Sequence, residues 1–284
     1  MKRPALLLSF LGVIAAACGG DSGPDLCAGK SGAAGTQLRT IMSGGRERTF
    51  RIDAPASALN GRPVPLVVMF HGVFSDAERI QTNTGMPDKA AEEGFITAAG
   101  DGIGQSWNAG LCCDPAARDG VDDVQFTRDM VAAIEDEYCI DPAQIYASGF
   151  SNGGAMVFRV VCDASDLFAA FAPVGGSLAL FPCEPSQVRP LYIINNVDDP
   201  IVPYDLGEFS FQTFTTLYNR CDETRTTEEG PNSTCETAPV CADDTSTTLC
   251  GIRGTSHVWP GGAVDPDDPF RATDVVWDFF AGTQ

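Results

Sequence analysis

The feature that most constrains the fold lies at residues 144–156, where an apolar run leads without a break into a glycine-rich turn and then a helical pattern. The apolar run "QIYASGF" has the character of a strand buried on both faces of a sheet. Gly149, Ser151 and Gly153 then spell G-x-S-x-G, the pattern of a serine raised on a sharp strand-to-helix turn. Because glycine is abundant in this chain, the value of the pattern depends on the elements around it.

Apolar runs and helical patterns alternate along the rest of the chain. This alternation predicts one α/β domain whose mostly parallel sheet carries helices on both faces, and 284 residues are enough to bury a sizeable core in one such domain. Strands are expected at 66–70, 94–99, 144–150, 167–175, 191–196 and 247–253. Helices are expected at 122–138, 152–162, 209–219 and 272–280.

The composition is that of an acidic globular protein. Hydrophobic residues make up 44% of the chain and aromatic residues 9%, which argues against disorder. The 18 basic and 38 acidic residues give a net charge of -20. Because such a surface repels phosphate backbones, nucleic acid is not expected as a partner.

The first residues have the layout of an export signal. Lys2 and Arg3 precede the apolar run at 4–17, which is short for a bilayer span. Three alanines lead directly to Cys18, an arrangement that resembles the lipobox of bacterial lipoproteins, in which the cysteine is acylated. An ordinary signal peptide with an incidental Cys18 is the alternative.

This layout gives the expected domain organisation. Residues 1–17 are predicted to be the signal peptide, 18–45 a lipoprotein tether with a flexible glycine-rich start, and 46–284 the α/β domain. The protein is therefore expected to be exported. It would be held by its N-terminal lipid in the cell envelope, at the outer membrane or the cell surface, or else be secreted.

Ten of the 11 cysteines remain when Cys18 is set aside, and an exported chain can oxidise them into five disulfides. Metal binding is the alternative, but "LCC" at 111–113 lacks the C-x-x-C spacing of zinc sites and the chain has only two histidines, so no metal is expected. Spacing leaves the connectivity open, although the last four cysteines are close enough to staple the polar segment 221–250. The ten are Cys27, Cys112, Cys113, Cys139, Cys162, Cys183, Cys221, Cys235, Cys241 and Cys250.

A serine hydroxyl is a weak nucleophile, so the chemistry indicated by Ser151 requires a base. One histidine, His71, directly follows a strand upstream of the turn. A His-Gly dipeptide at this position can shape a loop that binds an oxyanion. We interpret His71 as a structural residue packed under the cleft. The other, His257, follows the strand expected at 247–253 and completes the chain order Ser, Asp, His. His257 is therefore the predicted base.

The third residue of such an arrangement is a carboxylate at a strand end that holds the imidazole in one tautomer. The stretch "NNVDDPIVPY" places Asp198 and Asp199 just past the strand at 191–196. Adjacent residues cannot both point at His257, and spacing alone leaves the choice between them open.

Four blocks of the chain resemble, in order, the polyhydroxybutyrate depolymerase-like and feruloyl-esterase-like lipoprotein esterases of the α/β-hydrolase superfamily. They are "VVMFHG", "SWNAGLCCDPAARDGVDDVQF", "IYASGFSNGGAM" with "FAAFAPVGG", and "SHVWPGG", within residues 46–281. A resemblance of this extent is far more specific than G-x-S-x-G alone. It implies an α/β-hydrolase fold and a serine carboxylesterase with Ser151 as nucleophile and His257 as base.

The resemblance also implies which carboxylate takes part. The family's acid block typically reads H-G-T-x-D-P-x-V-P-Y, and its aspartate falls on Asp199, which precedes Pro200. On this ground Asp199 is preferred over Asp198. The chain departs from the family at Asn195 and Asn196, which stand where relatives usually have His-Gly.

Two backbone N–H groups are expected to bind the oxyanion. One belongs to Asn152, at the helix start after the serine. Relatives often carry Cys-Thr after H-G, where this chain has Val73 and Phe74; because the contact is a backbone N–H, Val73 can still supply the second donor. The implied mechanism is two-step acyl transfer through an acyl-enzyme, with no metal or organic cofactor.

The sequence leaves the natural substrate open. The resemblance implies an ester partner: hydroxycinnamoyl (feruloyl) or acetyl esters of polysaccharide, or short poly(3-hydroxybutyrate)-type oligomers, hydrolysed by a monomer. Trp107 and Trp259 are candidates for lining the acyl or sugar site, with core packing as the alternative for both. The alternative function is a catalytically silent ligand-binding lipoprotein on a hydrolase scaffold.

Overall fold

The computed structural model describes residues 26–283, which form one ten-stranded sheet with helices on both faces. The strands are β1 Gly35–Ser43, β2 Arg46–Ala54, β3 Val64–Phe70, β4 Ile96–Gly100, β5 Ile140–Phe150, β6 Ala170–Val174, β7 Leu191–Asn196, β8 Thr226–Glu229, β9 Ser233–Ala238 and β10 Thr247–Ile252. The helices are α1 Ala77–Thr84, α2 Met86–Glu93, α3 Asp123–Glu137, α4 Asn152–Ala164, α5 Tyr204–Thr213 and α6 Ala272–Ala281.

The strand order β1-β2-β4-β3-β5-β6-β7-β10-β9-β8 determines where a site can form. The six central strands from β4 to β10 are parallel, and the two outer strands at each edge are antiparallel. The chain places β4 on one side of β3 and β5 on the other, so the connections diverge between β3 and β5. Open α/β sheets bind ligands in the crevice that such a divergence creates at the carboxyl ends of the strands. Ser151 follows β5, and His71 follows β3.

Strand β3 shows how the sheet separates two hydrophobic layers. Leu66, Val68 and Phe70 belong to one layer and Val67 and Met69 to the other, the alternation expected of a pleated strand. Helices α3, α4 and α5 cover the first layer, and α1, α2 and α6 cover the second. Each fully buried apolar side chain of this kind contributes roughly 1.5–3 kcal/mol of transfer free energy, which makes the sheet a rigid platform.

The predicted mostly parallel sheet with helices on both faces is confirmed. The six predicted strands and the helices α3, α4 and α6 lie within a few residues of their expected ranges. The helix expected at 209–219 begins earlier, at Tyr204, and its end Phe214–Tyr218 is a π-helical turn. The segment 221–250 contributes β8 and β9 to the sheet edge, and the hairpin of β1 and β2 and the helices α1 and α2 are additional elements.

The folded domain begins upstream of the expected boundary at residue 46. Strand β1 lies inside the expected tether at 18–45 and pairs with β2 along its whole length, from Gly35 opposite Ala54 onward. Cys27 also forms a disulfide with Cys139. Sheet pairing and a cross-link therefore make residues from Cys27 onward part of the domain. The expected signal peptide and Cys18 lie outside the described residues.

All ten cysteines after Cys18 are paired, as five disulfides. Two of the bonds cross-link the segment 221–250, as its cysteine spacing permits, and another joins adjacent residues. The pairs are Cys27–Cys139, Cys112–Cys113, Cys162–Cys183, Cys221–Cys241 and Cys235–Cys250. Between residues 26 and 283 no helix is both long and apolar enough to cross a membrane.

A buried ion pair fixes the loop between β4 and α3. Arg48 and Asp123 are 2.8 Å apart, with 2% and 0% of their side chains exposed. The Arg48 guanidinium also donates to the Asp101 carbonyl at 3.1 Å and lies 3.8 Å from the centre of the Phe126 ring. The second carboxylate oxygen of Asp123 accepts the Asn108 N–H at 2.8 Å. The loop that precedes α3 is thus held through Asp123.

Replacing Arg48 by methionine should lower the free energy of unfolding by about 3–5 kcal/mol, because it leaves Asp123 buried without a counter-charge. Urea unfolding followed by circular dichroism measures this loss. The matched control is Arg39→Met: Arg39 pairs with Glu137 at 2.7 Å in a half-exposed position, where an ion pair contributes less than about 1 kcal/mol. Equal losses in the two variants would contradict the assignment.

Candidate active site

Ser151 occupies a strained turn between β5 and α4. Its φ of 58° and ψ of -119° lie in a region that residues with a side chain rarely adopt. The turn fits because its neighbours lack side chains: a Cβ on Gly153 would lie 2.0 Å from the Phe70 carbonyl oxygen, and one on Gly149 would lie 2.7 Å from the same atom. The Ser151 N–H donates to the Val174 carbonyl at 2.9 Å, which ties the turn to β6.

Three predicted site residues from three separate loops lie in hydrogen-bond contact. The Nε2 atom of His257 is 2.8 Å from the Ser151 hydroxyl, and its Nδ1 atom is 2.6 Å from a carboxylate oxygen of Asp199. The Asp199 side chain is fully buried, while that of His257 is 12% exposed. The imidazole therefore lies between a surface-facing hydroxyl and a buried carboxylate, and Phe150 packs against it with ring centres 4.8 Å apart.

The turn after β7 orients the two adjacent aspartates differently. The second oxygen of Asp199 accepts the backbone N–H groups of Ile201 and Val202 at 2.7 and 2.9 Å, which directs the other oxygen to His257. Asp198 is exposed and instead accepts the Gly254 N–H at 3.2 Å. The adjacent residues thus point in different directions, and Asp199 is the one that contacts the imidazole.

Asn196, which departs from the family pattern, holds the loop of His257. Its side-chain amide donates to the carbonyls of Ser256 and of Val258, the residues on either side of His257. Asn195 donates to the Gly176 carbonyl at 3.2 Å. Sequence reasoning did not assign Asn196 this role, although its place in the acid block was the available signal.

His71 orients the loop that carries Val73. Its Nε2 accepts the Gly102 N–H at 2.9 Å, so its proton lies on Nδ1 and is donated to the Gly72 carbonyl at 2.7 Å. Because C=O and N–H point in opposite directions across a trans peptide, this bond turns the Val73 N–H away from His71. Val73 lines the cavity that contains Ser151. His71 is fully buried, in the structural position expected of it.

Of the two alternatives stated for Trp107, core packing holds, and Trp107 does not line the cavity. It is fully buried, its Nε1–H donates to the His71 carbonyl at 2.9 Å, and its ring packs against Phe70 at 5.3 Å between ring centres. Its backbone N–H donates at 2.7 Å to the side-chain oxygen of Asn152, whose own N–H begins α4. Trp107 therefore supports the site from beneath the cavity, through its bonds to His71 and Asn152. Trp259 is 4% exposed and borders the cavity, with its Nε1–H bound to Thr273.

The cavity beside Ser151 has a volume of about 540 Å³ and an apolar lining. Among the described residues that line it, none is Asp, Glu, Lys or Arg. A larger polar groove of about 990 Å³ lies at the opposite end of the sheet, around Arg189 and Arg220. We assign the site to the smaller cavity because it contains Ser151 and His257. Its apolar walls are Phe74, Ile80, Phe150, Ile201, Val258, Trp259 and Val264.

No metal site competes with this assignment within residues 26–283, where no three His, Cys, Asp or Glu side chains are grouped to hold an ion. The uncharged cavity wall and the chain of three polar side chains form one continuous site. Such an arrangement can activate the hydroxyl of Ser151 by passing its proton to His257.

The chain is similar to several known proteins. A model of the prolyl oligopeptidase family matches residues 90–180. The putative esterase NocK of Nocardia uniformis subsp. tsuyamanensis is 30% identical over 87% of this chain and 83% of its own length. Feruloyl esterase B of Piromyces equi is 28% identical over 74% of this chain, which spans 42% of that relative. The structure of acetyl xylan esterase from Aspergillus awamori matches with a TM-score of 0.65 at 14% identity, over 86% of this chain and 99% of that one.

The sheet topology and the serine turn between β5 and α4, together with this structural match, define an α/β-hydrolase fold, which confirms the expected fold class. The likeness to the putative esterase NocK extends over most of both chains. The protein therefore belongs to the α/β-hydrolase esterase family.

The buried His71 should make stability depend on pH. Burial lowers the pKa of His71, whereas a histidine in the unfolded chain has a pKa of about 6.5. Below that pH the unfolded state binds more protons than the folded state. The contribution of the neutral His71 to the free energy of unfolding is therefore fully present above pH ~6.5 and is lost as the pH falls. Urea unfolding between pH 7.5 and 5.5 should show a steeper loss for the wild type than for His71→Gln. Equal slopes would mean that His71 does not titrate in this way.

Proposed function

We propose that the protein is a serine carboxylesterase in which Ser151, His257 and Asp199 form the catalytic triad. The observation that carries the proposal is the unbroken series of contacts from hydroxyl to imidazole to carboxylate, at 2.8 and 2.6 Å. These distances lie within the range for proton transfer between a nucleophile and its base. The family membership of the chain supports the same reaction.

In the proposed reaction Ser151 attacks the ester carbonyl while His257 takes its proton. Asp199, buried and held by two backbone N–H groups, stabilises the imidazolium and keeps its Nδ1–H pointing inward. His257 then protonates the departing alcohol. Water repeats the sequence on the acyl-enzyme, which releases the acid and restores the Ser151 hydroxyl.

The backbone N–H groups of Val73 and Asn152 are the proposed oxyanion donors. Each belongs to a peptide fixed from behind, the first by the bond from His71 to Gly72 and the second by the start of α4. Donors that are already oriented stabilise the developing charge without reorganisation during the reaction. The N-terminus of α4 adds a favourable dipole at the same point.

The proposed substrates are neutral carboxylic esters: feruloyl or acetyl esters of polysaccharide, or short polyester oligomers. The names of two similar proteins, a feruloyl esterase and an acetyl xylan esterase, support the polysaccharide esters. The lack of charged side chains in the described cavity wall supports a neutral substrate in a chain whose net charge is -20.

The triad is tested with p-nitrophenyl esters and a fluorophosphonate probe. The wild type should be labelled and Ser151→Ala should not. His257→Ala should lower kcat by about 10³-fold or more, because triad members act as a unit. Wild-type protein that neither hydrolyses esters nor takes the label would favour the silent binding protein instead.

The two adjacent aspartates give a matched pair for the same assay. Asp199→Asn should lower kcat by about 10³-fold or more, since only this carboxylate fixes the imidazole tautomer. Asp198→Asn should stay within about tenfold of the wild type, because Asp198 faces solvent. The reverse order would exclude Asp199 as the triad acid.

We further propose that Cys18 is acylated and anchors the enzyme to the cell envelope. Cys27 is bonded to Cys139, which immediately precedes β5, whereas Ser151 follows the other end of that strand. An anchor joined upstream of Cys27 would therefore connect to the domain at the end of β5 opposite to Ser151. The several acyl chains of a lipoprotein hold a protein far more firmly than one chain does.

Cys18→Ser should move active enzyme from the membrane fraction to the soluble fraction, or leave an unprocessed precursor. Ser22→Ala, a change in the same segment, should stay with the membrane. The intact mass of the membrane-extracted wild type should show lipid on Cys18. A mature N-terminus with unmodified Cys18 would contradict acylation.

A further inference from the structure

Phe74 combines a strained backbone with an exposed aromatic side chain. Its backbone φ is 60°, in the left-handed region that a bulky residue rarely adopts. Its aromatic side chain is 79% exposed, so burial of the ring does not offset the strain. A residue kept in such a conformation at a site points to a function there.

The left-handed conformation of Phe74 is held from both of its backbone polar groups. Its N–H donates to the Gln105 carbonyl at 3.0 Å, and its carbonyl accepts from the Arg79 guanidinium at 3.2 Å. Gln105 itself has a φ of 60°. The backbone of Phe74 is therefore held by Arg79 of α1 and by Gln105 after β4, which fixes the point from which its side chain leaves the main chain.

The ring of Phe74 lines the same cavity as Ser151. Two other exposed apolar side chains line it as well: Ile201 from the turn after β7, 67% exposed, and Val264 from the loop after β10, 66% exposed. Three loops that meet at the carboxyl end of the sheet thus each contribute an apolar side chain. We call Phe74, Ile201 and Val264 the apolar mouth of the cavity.

We propose that Phe74 is a specificity-determining residue, which selects esters whose neutral acyl group is larger than acetyl by contact with the apolar mouth. This inference rests on the proposed esterase function. An acetyl group offers one methyl group to a cavity of about 540 Å³, whereas a longer acyl chain reaches the mouth. Each methylene that leaves water in the transition state raises kcat/KM by about fourfold. Charged acyl groups find no partner in the described wall of the cavity.

The test compares p-nitrophenyl hexanoate with p-nitrophenyl acetate, which share one alcohol. Phe74→Gly removes the ring and places at φ 60° the residue that tolerates it, so the melting temperature should not fall. The ratio of kcat/KM for hexanoate over acetate should fall about sixteenfold in Phe74→Gly, as contact with two methylenes is lost, and return toward the wild-type ratio in Phe74→Leu.

The ratio isolates the side chain, because a change at the neighbouring Val73 N–H would slow both esters alike. Leu38→Ala is the control: Leu38 is 74% exposed on β1, far from the cavity in the strand order, and its loss should leave the ratio unchanged. A ratio in Phe74→Gly within twofold of the wild type, or an equal fall in Leu38→Ala, would overturn the assignment of Phe74. A wild type that hydrolyses neither ester and takes no fluorophosphonate overturns the proposed function and this inference together.

Discussion

The geometry of the site depends on one close backbone contact, between the first turn of α4 and the end of β3. At Gly153 the contact leaves no room for a side chain, since a Cβ would lie 2.0 Å from the Phe70 carbonyl oxygen. This proximity brings Ser151 beside the loop of Val73, which leaves the end of β3. The strain at Ser151, on the order of 1–3 kcal/mol, is borne by α4, whose residues Asn152–Phe158 are all buried.

A second level of organisation is a set of buried polar groups beneath the cleft. His71 fixes the Gly72 peptide, the Trp107 indole is bound to the His71 carbonyl, and the Asn152 side chain is bound to both backbone groups of Trp107. The loops of both proposed oxyanion donors therefore belong to one hydrogen-bond network. In a low-dielectric interior such bonds are stronger than in water, and a satisfied network favours a single arrangement. The buried indole of Trp107 therefore helps to hold both loops, although it does not line the cavity.

The sequence identifies those parts of the structure that depend on local pattern. Ser151 can be identified from sequence because it stands, flanked by Gly149 and Gly153, between an apolar strand and a helix. His257 can be identified because the chain has only two histidines. Strand β8 escapes prediction because its four residues are all exposed and show no alternation. Sequence leaves open whether Trp107 lines the cavity or packs in the core, because it does not give the direction of a side chain. Spacing alone does not distinguish Asp198 from Asp199. Hydrogen bonds from the turn after them direct only Asp199 to the imidazole, and these bonds cannot be seen in the sequence.

The departure from the family pattern at Asn195 and Asn196 bears on the position of His257. Asn196 binds the carbonyls on both sides of His257 and so holds the loop of this histidine in place. Glycine at this position, as in relatives, has no side chain with which to do so. Both N–H groups of the buried Asn196 amide are used in these bonds, while its Oδ1 has no partner among the described residues. Two bonds to one loop therefore tie the fold of the acid block to the position of the imidazole. The departure at Asn195 and Asn196 therefore leaves His257 held in place, which agrees with its proposed role as the base.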